Sequence, residues 1–123
     1  MLALERRVGL RVVAAPAALD AARWAGDDLL VLRLAPDEAL ALGATGVEVA
    51  DAHAIVEAEA GFAAGLVDVA RVVAHIEWSL PAERPTLAQG AIAGVPARLW
   101  LTDDHVRLVV HAAYAADLRD RLR

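Results

Sequence analysis

The chain has 123 residues, a formal net charge of −5 and a hydrophobic fraction of 59%. It contains no cysteine, lysine or asparagine and a single serine, Ser79. Those absences exclude disulfides, thiolate metal centres, cysteine nucleophiles, Schiff-base lysines and a P-loop lysine. Its basic residues are scattered among acids, so the basic stripe that neutralises nucleic-acid phosphates is missing and nucleic acid is not an expected partner.

Alanine fills 30 positions, which keeps the side-chain volume per residue small. No apolar run approaches the roughly 18 residues that span a bilayer. The start, Met1 to Arg7, has no hydrophobic signal core. These features predict a cytoplasmic protein, not a membrane protein, folded as one domain over residues 1–123.

In chain order, Val8–Val13 reads as a β-rich first strand. Ala17–Ala25 reads as a helix, with Pro16 at its first turn and Gly26 at the C′ position. Leu29–Leu34 is a nearly continuous apolar run, which predicts a central strand. Pro36-Asp37-Glu38 predicts a short helical turn ending at Gly43, because proline and acids suit a helix N-terminus. Val47–Ala50 and Ala54–Glu59 read as strand segments. Phe62–Trp78 reads as the main helix, since Phe62, Leu66, Val69, Val73 and Ile76 recur at helical spacing. Asp68, Arg71 and His75 fall on its opposite face, and Pro81 ends it. Two paired strands and a closing helix follow from Gln89. With Asp103-Asp104 as a two-residue turn, Leu101 faces Val106, Leu99 faces Leu108 and Ala97 faces Val110, all apolar on one side. Thr102 faces His105, Trp100 faces Arg107 and Arg98 faces Val109 on the other. Tyr114, Leu118 and Leu122 mark the last helix. The order β-α-β-β-α-β-β-α predicts an α+β two-layer sandwich, an antiparallel sheet with helices on one face and a ferredoxin-like character.

Few residues carry chemistry. His75-Ile76-Glu77 matches half of a zinc deaminase signature whose cysteine half is missing. Ser79 lies outside any G-x-S-x-G elbow and reads as a helix-end residue. Asp103, Asp104 and His105 read as a charged turn. Glu57 and Glu59 share a strand face and read as a solubilising pair in place of an acid–base couple. Gly90 and Gly94, four apart, put two glycines on one strand face, where close packing is possible. No catalytic, cofactor-binding or metal-binding residue is expected, and no cofactor.

From about Leu29 to Arg123 the chain resembles the gamma-subunit family of heterotetrameric sarcosine oxidase. That family is related to the aminomethyltransferase and YgfZ-type folate-binding folds. The resemblance rests on Leu32 to Leu40, with its Pro36-Asp37-Glu38 turn, on Ala97–Leu101 with Val106–Val110, and on Ala112–Leu118. It implies a small non-catalytic accessory subunit of an oxidoreductase complex, acting by protein–protein association, with flavin, NAD and folate held mainly by larger subunits. Two other classes stay open. One is a stand-alone ferredoxin-like module that homodimerises or binds a small metabolite. The other is a small hydrolase or lyase using His with Asp or Glu. The expected partner interface is the outer hairpin face carrying Trp100, Arg98, Arg107 and Val109, because Trp and Arg are enriched where proteins bind.

Overall fold

The computed structural model describes residues 2–123. Its strands are β1 (Glu5–Val13), β2 (Arg23–Ala35), β3 (Glu38–Glu48), β4 (Ile55–Val67), β5 (Thr86–Ile92), β6 (Val95–Leu101) and β7 (Val106–His111). Its helices are α1 (Pro16–Asp20), α2 (Val69–Val73) and α3 (Ala115–Arg121), the last preceded by a 3-10 turn at Ala112–Tyr114. Strand accounts for 54% of the chain and helix for 16%, so the fold is a mostly antiparallel β structure. The expected α+β sandwich with helices layered on one face is overturned. Two of its three helices are one-turn segments of five residues, too short to form a layer.

The main error lies in Phe62–Trp78. Phe62–Val67 is the second half of β4, paired with β7 from Phe62↔His111 to Val67↔Val106. Gly65 there lies against the backbone of Ala3, leaving no room for a side chain, and glycine also weakens a helix by about 1 kcal/mol. The helix begins only after Asp68, whose carboxylate accepts a hydrogen bond from the Ala70 N–H at 3.1 Å. Asp68 therefore marks a helix start, whereas the periodicity places it mid-helix. The stripe is split accordingly. Phe62 is fully buried, but Leu66, Val69 and Val73 are 61%, 42% and 54% exposed.

The chain divides into two compact units, one of Arg7–Ala60 and one of Gly61–Arg123 with the residues up to Arg6. In the first, the strand order is β2-β3-β1. The Pro36-Asp37 step is a two-residue connection between Ala35 and Glu38, which pair, and not a helical start. Proline and aspartate serve a β-turn as well as a helix N-terminus, so the local signal was ambiguous. β3 pairs with β2 and β1, and Ala39, Leu40, Ala41 and Leu42 are all buried. β3 is thus the inner strand of the unit, while Leu29–Leu34 belongs to β2 at the end of the strand order. The expected Ala17–Ala25 helix shrinks to α1, and Trp24 already pairs with Val47 in the sheet. Gly26 marks a register shift in β2 in place of a helix cap. Leu19 of α1 joins Val12, Ala14 and Ala39 in the core of this unit.

In the second unit the strand order is β4-β7-β6-β5. One face of these strands carries Ile92, Leu99, Leu101 and Leu108, which pack with Leu118 and Leu122 of the C-terminal segment. Leu118 and Leu122 are fully buried as the stripe requires, whereas Tyr114 is exposed. The β6–β7 register is the expected one, with Leu101↔Val106, Trp100↔Arg107, Leu99↔Leu108 and Arg98↔Val109. β5 and β6 join through Ala93-Gly94, both at positive φ (49° and 81°), the backbone of a primed hairpin turn. Gly94 is therefore a turn residue and does not share a strand face with Gly90.

Candidate functional site

Alternation along each strand puts the residues opposite the leucine core on the other face of the second unit. The registers line them up in rows across the four strands. Leu87, Trp100, Arg107 and Leu66 form one row, paired Leu87↔Trp100, Trp100↔Arg107 and Leu66↔Arg107. Gln89, Arg98, Val109 and Ala64 form the next. His111 and Phe62 lie beyond them.

The two rows differ in accessibility. In the first, Trp100, Arg107 and Leu87 are half-buried and Leu66 is exposed. In the second, Val109 is fully buried, so it offers no contact surface. The Arg98 guanidinium lies 5.8 Å from the centre of the Phe62 ring, within reach of a cation–π contact. The His111 ring stacks on the same Phe62 at 4.7 Å, and Tyr114 meets His111 edge-on. Of the four residues expected at an interface, the structure puts Trp100 and Arg107 in one accessible row, packs Arg98 against an aromatic ring and buries Val109. Leu66 and Leu87 were missed. The helical reading hid Leu66, although Phe62, Ala64 and Leu66 also fit a two-residue period.

A cleft opens beside the second row. The Thr102 N–H donates to the His105 carbonyl at 3.0 Å, so the hydrogen-bonded pairs of this hairpin are Thr102/His105, Trp100/Arg107 and Arg98/Val109. The next would be Pro96/His111, where proline keeps its carbonyl as an acceptor but has no N–H to donate. Pairing of β6 with β7 ends at Arg98↔Val109, and the Ala97–Val110 pair expected from sequence does not form, while β5 and β6 stay paired to Val95. The resulting cleft has a volume of about 300 Å³ and includes Gln89, Pro96, Arg98 and His111 in its walls.

The remaining motifs do not assemble. His75 Nδ1 lies 2.8 Å from the Arg71 carbonyl oxygen, so the ring folds back on its own chain just past the end of α2. Ser79 is exposed in the loop beyond it. The hydroxyl of Thr102 bonds the backbone of His105, which fixes the Asp103-Asp104 turn without any ligand. Glu57 is exposed and Glu59 half-buried on β4. Among the described residues, no group of three or more His, Asp or Glu could hold a metal ion, and no helix is long and apolar enough to cross a membrane. No family model matches the chain, and no curated protein matches its sequence.

Proposed function

We propose that the chain is a non-catalytic accessory module that works by protein–protein association in the cytoplasm, with the row Leu87, Trp100, Arg107 and Leu66 as its contact surface. The observation that carries this reading is Leu66, a large apolar side chain 61% exposed in register with Arg107 and Trp100. Trp and Arg are enriched at binding hot spots, and the exposed Leu66 beside them adds apolar area that a partner could cover. The sequence resemblance to sarcosine oxidase gamma subunits supports an accessory role within an oxidoreductase complex. That finer reading rests on the sequence motifs alone.

The test is co-elution of the purified chain with the products of neighbouring genes, alongside its mass in solution alone. Leu66→Asp and Trp100→Ala should each weaken association at least about tenfold, equivalent to about 1.4 kcal/mol. Leu66→Asp should do so with an unchanged melting temperature. A chain that self-associates through the same row would instead be a homodimeric module. Association unaffected by either substitution overturns the reading.

A further inference from the structure

The geometry points to a binding site for a small monocarboxylate with an apolar body, in the cleft where β6 leaves β7. This site is distinct from the Leu87–Leu66 row, and neither depends on the other.

The charge of the cleft is the first argument. The chain carries 17 acidic residues and a net charge of −5, yet among the described residues no Asp or Glu lines this cleft. Its polar side chains are Arg98, His111 and Gln89, all able to donate hydrogen bonds to an anion. An acid-free pocket with a guanidinium on its wall favours carboxylate over cationic or neutral ligands, because a guanidinium presents paired N–H groups that match the two oxygens.

Preorganisation is the second. Phe62 is fully buried and holds both Arg98 and His111 against its ring. A guanidinium already resting on an aromatic ring loses less side-chain entropy when a ligand arrives. With five donors, Arg98 can keep its contacts within the protein and still reach a ligand.

The third argument is shape. The cleft lies where β6–β7 pairing stops at Arg98↔Val109, beside Pro96, which has no N–H to donate to β7. Around the polar groups, its accessible apolar walls are Ala91 and Pro96 with backbone, which suit a short hydrocarbon or aromatic body. About 300 Å³ is at the small end of ligand pockets, which limits the occupant to a metabolite-sized acid.

The experiment is an amide NMR titration of the full chain with benzoate, benzamide and inorganic phosphate. Benzoate should give saturable shifts centred on Ala97, Arg98 and His111, with benzamide and phosphate at least about tenfold weaker. Gln89→Glu puts a carboxylate on the wall at an exposed position and should weaken benzoate at least about tenfold without unfolding the chain. Arg98→Met should do the same where it folds, and Arg107→Met should have no effect. Equal binding of benzamide shows that charge is not recognised, and equal binding of phosphate shows that the apolar walls contribute nothing. Either result overturns the assignment, as do shifts centred elsewhere, no saturation, or full benzoate affinity in the Gln89→Glu protein.

Discussion

The indole of Trp78 occupies the space that a side chain at Gly90 would need. A Cβ at position 90 would collide with Trp78 Cε2, and Trp78 Nε1 donates to the Ala91 carbonyl at 2.9 Å. The loop after α2 is thereby pinned onto β5. The Ala93 N–H adds a second tie by donating to the His75 carbonyl at 2.9 Å. Glycine at position 90 is thus set by close packing, and Gly90→Ala should destabilise the chain by about 1–3 kcal/mol in chemical denaturation, as overpacking does. A neutral result would mean that the indole moves away at no cost.

Leucines on the two faces of the second unit should respond differently to truncation. Leu108 is fully buried, and Leu108→Ala should cost about 2–5 kcal/mol. Leu66 is exposed, and Leu66→Ala should change stability by no more than about 0.5 kcal/mol. Urea unfolding of both variants checks the strand assignment of Phe62–Val67 directly, because a core helix would make Leu66 the costly one.

Asp68 caps α2 through the Ala70 N–H. Asp68→Ala should lower stability by about 0.5–2 kcal/mol, and Asp68→Ser should recover most of the loss. Thermal unfolding of the three proteins provides the comparison. Equal melting temperatures would show that the cap contributes nothing.

Asp51 should confer a pH dependence. Its carboxylate accepts hydrogen bonds from the Ala15 N–H at 2.8 Å and the His53 N–H at 2.9 Å. The bond from Ala15, then that from His53, holds its pKa below the ordinary 3.8, with the nearby charge of His53 adding a little and desolvation opposing. The folded state thus prefers the ionised form. The resulting stabilisation is complete above the unfolded-state pKa and is lost as pH falls through the lower folded-state value. Acid titration of stability should therefore be shallower for Asp51→Asn than for the wild type, with the difference developing as pH drops past 3.8. Parallel curves would contradict this role.

How far the sequence could be read depended on the range of the interactions involved. The Asp103-Asp104 hairpin was legible from its turn to the Arg98–Val109 pair, because alternation and a two-residue turn are local and a one-residue slip would mix its two faces. The first strand and the buried Leu118 and Leu122 were legible for the same reason. Phe62–Val67 was not. Its apolar residues fit both a helical and a two-residue period, and pairing with β7 together with the Ala3–Gly65 contact chose the strand. Pro36-Asp37 likewise can open a helix or close a hairpin, and the hairpin won because β3 found partners on two sides. At the candidate site, Trp100 and Arg107 were visible as residue types on one face. The burial of Val109, the exposure of Leu66 and the union of Arg98 with His111 on Phe62 depend on strands distant in sequence. Local preferences differ by about 1 kcal/mol or less, whereas burying one large side chain contributes about 1.5–3 kcal/mol, so where the two disagreed the long-range packing decided.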